Sequence, residues 1–113
     1  ADFGVNAGNK GKVLNPIKQY YKTGSKEFIL SKVLPAKNWA VTNNVPIIIN
    51  EFGALRDKSD AESVLNYYKA MMDICDTLQI PWTHWGYTGG FSVVDNDGKL
   101  YEGLAEVMKL EAK

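Results

Sequence analysis

A carboxylate ends the most apolar segment of this 113-residue chain. The segment runs from Val45 to Ile49, and Asn50 and Glu51 follow it directly. Its consecutive isoleucines show no polar alternation, which is typical of a strand buried on both faces of a parallel sheet. In parallel α/β folds, ligands and catalytic groups lie at the carboxyl ends of the strands. Glu51 is therefore a candidate catalytic residue, and its structural alternatives are capping the next helix or pairing with Arg56.

A second segment, Trp82 to Tyr87, alternates aromatic and polar side chains and runs into a glycine-rich loop. Because alternate residues of a strand face opposite ways, Trp85 and Tyr87 should share one face, and Trp82 and His84 the other. An aromatic ring can stack on the CH face of a sugar, which makes Trp85 and Tyr87 candidate sugar-binding residues. Core packing is the alternative for both tryptophans. The spacing of His84 offers it no partner, so we expect a structural or surface histidine rather than an acid or base.

The elements that must position these residues alternate between helix and strand. Five are predicted in chain order: a helix over residues 25–44, a strand over 46–50, a helix to about Leu78, a strand over 80–85 and a helix over 101–111. Pro35 either kinks the first helix or divides it into two. Ser59 and Glu62 have capping-box spacing, which predicts that Ser59 begins the second helix. Two successive βα units indicate an α/β protein with parallel strands.

The apolar period also predicts which side chains face inward. The second helix presents an inner stripe of core residues: Val64, Leu65, Tyr68, Met71, Met72, Cys75 and Leu78. The closing helix does the same with fewer residues: Leu104, Val107, Met108 and Leu110. Cys75 is the chain's one cysteine, which excludes an internal disulfide and predicts a packed core thiol. Residues 95–98 combine acids with a glycine and predict a tight turn rather than a calcium loop.

Composition excludes several classes of protein. Thirteen basic and thirteen acidic residues cancel, so the chain has no electrostatic footprint for nucleic acid. Its apolar runs are far shorter than the roughly 18 residues of a membrane helix. His84 is its one histidine and no Cys/His cluster exists, so we expect neither a metal ion nor another cofactor. An apolar content of 45% is enough to bury a core in one domain.

The predicted strands are too few for the sheet that they imply. Two parallel strands leave both sheet edges unpaired, and this chain cannot bury them on both faces. We therefore infer that the chain belongs to a larger α/β sheet or barrel, whose remainder is a separate polypeptide or a missing segment. We predict that residues 1–24 form an irregular lead-in, because glycines and a proline interrupt any helix or strand pattern there.

Three segments resemble parts of glycoside hydrolase family 5 cellulases. Pro46–Ala54, with Arg56 and the helix of Glu62, resembles their seventh strand. His84–Tyr87 with Gly90–Asp95 resembles their eighth strand and its loop, and Leu104–Leu110 resembles their last helix. The resemblance covers roughly residues 25–111. It implies that residues 1–113 are the C-terminal part of one (β/α)₈ TIM-barrel catalytic domain, incomplete in this chain.

The family consists of retaining β-glycosidases, so the resemblance also implies roles for single residues. Glu51 is implied to be the nucleophile that forms a glycosyl-enzyme intermediate. Trp85 is implied to be the stacking platform at the reacting sugar, with Tyr87 as a further substrate-binding residue. The implied activity is that of an endo-β-1,4-glucanase acting on β-glucan polysaccharide or oligosaccharide. A secreted location follows, because family members degrade polymers too large to enter cells.

One essential part of that machinery is missing from the sequence. A retaining mechanism needs a second carboxylic acid about 5 Å from the nucleophile. In the family this acid belongs to an Asn-Glu motif after the fourth strand, and the chain's one Asn-Glu pair is Asn50-Glu51. We therefore expect activity only with a complementary N-terminal barrel fragment that carries the acid/base. A mannanase, a xylanase, a non-catalytic carbohydrate-binding module and an unrelated small α/β domain remain alternatives.

Overall fold

The computed structural model describes residues 25–110, and the predicted lead-in over residues 1–24 lies outside them. The described helices are, in chain order: α1 over Lys26–Asn43, a 3₁₀ helix over Arg56–Lys58, α2 over Ala61–Leu78 and α3 over Leu104–Val107. Two isolated β-bridges join the segments between them. Ile49 pairs with Trp82 in parallel, and Val94 pairs with Leu100 in antiparallel orientation.

Helix α1 is a single helix that passes through Pro35, which decides between the two predicted alternatives. It begins where Ser25 Oγ accepts a hydrogen bond from the Phe28 N–H at 3.1 Å. It ends at Asn44, which adopts the left-handed conformation with φ 51°. Ala40 is its one buried residue, and Leu34, Trp39 and Val41 are exposed large apolar side chains of α1.

Helix α2 begins one residue later than the capping-box spacing predicts. Asp60, not Ser59, is the N-cap, and its Oδ1 accepts a hydrogen bond from the Ser63 N–H at 2.9 Å. Ser59 instead closes the preceding 3₁₀ helix, because its N–H donates to the Arg56 carbonyl at 3.2 Å. The third residue after the cap is thus Ser63, and Glu62 cannot complete the predicted box. The bond from Ser63 also lowers the pKa of the Asp60 carboxyl.

The predicted parallel order of the strands is confirmed, but their predicted lengths are wrong. In place of strands over residues 46–50 and 80–85, the structure has the single bridge between Ile49 and Trp82. The Ile49 N–H donates to the Pro81 carbonyl at 3.0 Å, and the Thr83 N–H donates to the Ile49 carbonyl at 2.9 Å. Two features explain why the ladder is short. The prolines in these segments have no N–H that could extend it. Neither segment pairs with a second strand in the described part of the chain.

The closing helix is also shorter than predicted, since α3 spans four residues instead of residues 101–111. Left-handed residues bound it on both sides, with φ 79° at Gly103 and φ 54° at Lys109. Leu104 and Met108 are buried as predicted. Leu110 is exposed, because the chain has already left the helical path at Lys109.

The core lies between α2, α3 and the bridged segments. Its buried members form one cluster: Phe52, Val64, Tyr68, Met71, Met72, Val93, Val94, Leu104 and Met108. Most of the inner stripe predicted for α2 is buried, including the Cys75 thiol, whose pKa is raised by burial. Leu65 and Leu78 are half-buried. A surface ion pair between Lys26 and Asp73, 3.0 Å apart, links α1 to α2.

The apolar segment before Glu51 lacks the cover that its sequence implies. Ile48 is 54% exposed and Val45 is exposed as well. The described part of the chain therefore does not bury this branched apolar segment, and its exposure fits a piece of a larger sheet. No helix of the described part of the chain is long and apolar enough to cross a membrane.

Candidate active site

Glu51 lies just beyond the parallel bridge, with an exposed side chain. Within residues 25–110 its carboxylate makes no ion pair and no side-chain hydrogen bond. Neither structural alternative for Glu51 is seen, because Asp60 caps α2 and Arg56 contacts other groups. A carboxylate at a strand end without a structural partner is available to a ligand.

Arg56 ties together the loops that follow the two bridged segments. Its Nε donates to the Ser92 carbonyl at 2.8 Å, and its backbone N–H donates to the Gly90 carbonyl at 2.8 Å. The guanidinium carbon lies 3.7 Å from the centroid of the Tyr101 ring, a cation–π contact. Arg56 therefore holds the loop after Glu51 against the loop after Trp85.

The backbone brings the ends of the two segments into direct contact. The Trp85 N–H donates to the Phe52 carbonyl at 2.9 Å, one residue beyond Glu51. A Cβ on Gly53 would lie at an ordinary contact distance of 3.4 Å from the Trp85 carbonyl, but at a tight 3.3 Å from the Phe91 ring, so the glycine avoids crowding against Phe91. Glu51 and Trp85 consequently flank one hydrogen-bonded junction, as predicted for two neighbouring strand ends.

Phe52 packs against this junction from the side of the core. Its buried ring makes edge-to-face contacts with three aromatic neighbours: Tyr68 at 6.1 Å, Trp82 at 5.5 Å and His84 at 5.6 Å between centroids. Trp82 is half-buried against the core, which confirms the core alternative for this tryptophan. Trp85 is 55% exposed, as a ligand-stacking platform requires.

Tyr87 is 65% exposed, but the face predicted for it is wrong. It lines an open apolar groove together with Trp82 and His84, and Trp85 does not line this groove. The reason is Gly86, whose φ of 84° breaks the extended alternation between Trp85 and Tyr87. Both aromatic rings remain accessible at the same end of the bridged segments.

The expectation that His84 has no partner in this chain is also wrong. The Tyr68 hydroxyl lies 2.6 Å from His84 Nε2. Burial lowers the pKa of His84, and the positive charge of Arg56 lowers it further, against a backbone hydrogen bond with Gly86 that raises it. Burial likewise raises the pKa of the Tyr68 hydroxyl. The pair is therefore a neutral imidazole beside a neutral phenol at neutral pH.

This lowered pKa predicts how stability depends on pH. The unfolded state binds more protons between the folded pKa of His84 and its ordinary value of 6.5, so stability rises with pH in that window. The contribution of His84 is complete above pH 6.5 and is lost as the pH falls through the folded value. Asp60 and Asp73 also have lowered pKa values, and they affect stability as the pH falls below their ordinary value of 3.8.

We expect the melting temperature of the full-length protein to fall more steeply below pH 6.5 than that of a His84→Gln variant. Glutamine retains an acceptor for the Tyr68 hydroxyl but does not titrate. Thermal unfolding of both proteins across this pH range is the measurement. Parallel curves for the two proteins would contradict the lowered pKa.

Within residues 25–110 no cluster of three or more His, Cys, Asp or Glu could hold a metal ion. The predicted tight turn over residues 95–98 is confirmed. The Asp95 carboxylate accepts hydrogen bonds from the N–H groups of Asp97 and Lys99, each at 2.9 Å. Asp95 is therefore engaged in its own turn and not in the site beside Glu51.

The described chain pairs two helix-flanked segments through a parallel bridge and places a carboxylate and an aromatic ring at the junction after them, the arrangement of parallel α/β enzymes. The family model for cellulase, glycosyl hydrolase family 5, matches residues 5–90. The chain belongs to this family.

Relatives of the chain are named as glucanases. It is 65% identical over 112 residues to Endoglucanase 3 of Fibrobacter succinogenes, matching 99% of this chain and 17% of the relative. A hyperthermophilic endo-β-1,4-glucanase solved with substrate is 30% identical with a TM-score of 0.66, over 73% of this chain and 26% of that one.

Cel5A of Thermotoga maritima, solved with cellobiose, is 26% identical with a TM-score of 0.65, over 74% of this chain and 27% of that one. The same enzyme has been solved with mannotriose. The chain thus spans about a quarter of the solved relatives and less of the curated one. Its likeness to these endoglucanases fits a fragment of a TIM barrel.

Proposed function

We propose that this chain supplies the nucleophile and one aromatic subsite of a retaining endo-β-1,4-glucanase. The observation that carries the proposal is the junction of Glu51 and Trp85. Glu51 is an exposed carboxylate without an ion pair or side-chain hydrogen bond within residues 25–110, and the next residue accepts a backbone hydrogen bond from Trp85, whose indole is exposed. Membership of the cellulase family supports the proposal. The names of the relatives as endoglucanases support it further.

The proposed reaction has two steps. The Glu51 carboxylate attacks the anomeric carbon, the glycosidic bond breaks, and an acid/base carboxyl protonates the departing oxygen. Water then attacks the glycosyl-enzyme ester, gives its proton to the same acid/base group, and releases Glu51 as a carboxylate. Trp85 stacks on the sugar ring at the point of cleavage, and Tyr87 binds the chain further along.

The acid/base carboxyl is proposed to lie outside this chain. Asp95 is held in its own turn, and its neighbour Asp97 is exposed in the same turn. Asp57 belongs to the exposed 3₁₀ helix. The proposed partner is therefore a complementary N-terminal part of the barrel, either in the same polypeptide or in a separate one.

We propose that residues 1–113 form the C-terminal part of a single (β/α)₈ domain and contain its seventh and eighth strands. Support comes from the parallel bridge between two helix-flanked segments and from the exposed apolar side chains of Val45 and Ile48. The remaining strands would cover these side chains. A secreted location is proposed because β-glucan is too large to enter a cell.

A β-mannanase is the second candidate, and one finding favours it. Cel5A of Thermotoga maritima has been solved with mannotriose as well as with cellobiose, so related sites can hold either sugar. No comparable finding favours a xylanase. A non-catalytic binding module fits less well, since such modules are usually antiparallel β-sandwiches, and this chain pairs two segments between its helices through a parallel bridge.

Three preparations test this proposal: the isolated chain, the full-length protein, and the chain co-expressed with the complementary part. Each is assayed for reducing ends released from soluble β-glucan, mannan and xylan. We expect no turnover by the isolated chain, because it lacks the acid/base, and turnover in the other two with β-glucan as the best substrate. Turnover by the isolated chain would contradict the split of the catalytic pair, and a preference for mannan would select the second candidate.

A further inference from the structure

Tyr68 is the most enclosed polar side chain beside the site. It lies on α2 at 0% exposure, yet its hydroxyl contacts both strand-end segments. The Ala54 N–H donates to this oxygen at 3.4 Å, and His84 Nε2 lies 2.6 Å from it. Ala54 follows Glu51 by three residues, and His84 directly precedes Trp85. A single hydroxyl therefore joins the two segments that carry the proposed catalytic groups.

The hydrogen-bonding capacity of the phenol matches its two partners. A phenol has one proton to donate, and its oxygen also accepts. The oxygen accepts from the Ala54 N–H, and it shares one further hydrogen bond with Nε2 of His84. In the imidazole tautomer that carries its proton on Nδ1, Nε2 accepts the phenol proton. The hydrogen bonds thus link Ala54, Tyr68 and His84.

The hydroxyl is not explained by packing alone. A phenylalanine at this position would keep the edge contact with Phe52 and fill the same volume. Burying a phenol hydroxyl costs free energy unless it is hydrogen-bonded, so its presence indicates a use for the bonds. Gly53 lies against the same junction, because a Cβ there would be in ordinary contact with His84 Nε2 at 3.4 Å.

We infer that Tyr68 is a positioning residue that fixes Glu51 relative to Trp85 through hydrogen bonds to the backbone after Glu51 and to His84. The inference rests on the proposed function, in which both of these groups act on one sugar. Small displacements of a nucleophile cost much rate, up to about a hundredfold for a shift of about 1 Å. Loss of the hydroxyl should therefore lower kcat more than a core substitution that destabilises the protein by the same amount.

The first test compares Tyr68→Phe with Ile74→Val in the full-length enzyme. Ile74 lies on the same helix, is equally enclosed and makes no side-chain hydrogen bond, so its variant controls for loss of core stability. We expect both variants to lower the melting temperature by a few degrees. Tyr68→Phe alone should lower kcat on soluble cello-oligosaccharides, by about tenfold, with little change in KM. Equal kcat in the two variants would overturn the inference.

The second test removes the other partner and does not depend on how Tyr68→Phe folds. Glutamine at position 84 can accept the phenol proton, whereas leucine cannot. We expect His84→Gln to retain most of kcat, and His84→Leu to show the loss seen in Tyr68→Phe. The double variant of Tyr68→Phe and His84→Leu should lose no more kcat than Tyr68→Phe alone, because the bond between Tyr68 and His84 is already absent in that single variant. Additive losses, or a His84→Leu enzyme as fast as His84→Gln, would overturn the inference.

The same assay separates this inference from the proposed function. If Glu51→Gln is inactive while Tyr68→Phe has full kcat, the positioning role fails and the nucleophile assignment stands. If Glu51→Gln is fully active, the proposed function itself fails.

Discussion

Replacing Glu51 with glutamine should reduce the turnover of the full-length enzyme by at least about a thousandfold, or about 4 kcal/mol of transition-state stabilisation. The amide is nearly the same size as the carboxylate but cannot form the glycosyl ester. The fold should survive, because Glu51 is exposed and makes no hydrogen bond or ion pair within residues 25–110. Steady-state kinetics on soluble β-glucan and thermal unfolding of the same preparation measure both effects.

Glu27→Gln is the matched control for this variant. Glu27 is an exposed carboxylate in the first turn of α1, so its variant changes the net charge equally without touching the site. It should retain wild-type turnover. A shortened variant, Glu51→Ala, should regain activity when azide is added, because a small anion can occupy the vacated space and attack in place of the carboxylate. Near-wild-type turnover in Glu51→Gln would remove Glu51 from the mechanism.

Replacing Trp85 with alanine should have the second largest effect. The indole is more than half exposed at the strand-end junction, and a sugar stacked on it would cover one ring face. Removing roughly 80 Å² of apolar contact at about 25 cal/mol per Å² costs about 2 kcal/mol, a loss of about thirtyfold in kcat/KM. Kinetics on cello-oligosaccharides of increasing length measure this loss.

Trp39→Ala provides the control for Trp85→Ala. Trp39 is 60% exposed on α1, so truncating it removes a comparable exposed indole. Its variant should keep kcat/KM close to that of the wild type. Equal losses in the two tryptophan variants would show that exposed indoles serve assembly of the barrel and that Trp85 has no special role with the sugar.

The two long helices, α1 and α2, were predictable from the sequence because their determinants are local. The period of α2 predicts its buried stripe, and Val64, Tyr68 and Met71 lie in the core accordingly. The predicted N-cap was one residue too early. Ser59 and Asp60 are both favourable N-cap residues, and the course of the preceding 3₁₀ helix determines which of them caps α2. Strand lengths were overestimated because pairing depends on neighbours, which the described chain does not contain.

The candidate site was predictable in its main residues and not in its connections. Glu51 and Trp85 stand at strand ends in the sequence, and the structure joins their backbones through the hydrogen bond from Trp85 to Phe52. The contact between Tyr68 and His84 spans 16 residues and depends on how α2 packs, so no spacing rule could reveal it. Tyr87 was assigned to the wrong face because one glycine with positive φ interrupts the alternation.

Covalent trapping of the intermediate tests the central claim most directly. A cellobioside with fluorine at C2 and a good leaving group slows both steps, and the activated leaving group lets the glycosyl-enzyme accumulate. The full-length enzyme is inactivated with this compound, digested, and analysed by tandem mass spectrometry. We expect the sugar mass on the peptide that contains Glu51, and specifically on this residue. A label on any other carboxylate of the active enzyme would contradict the account.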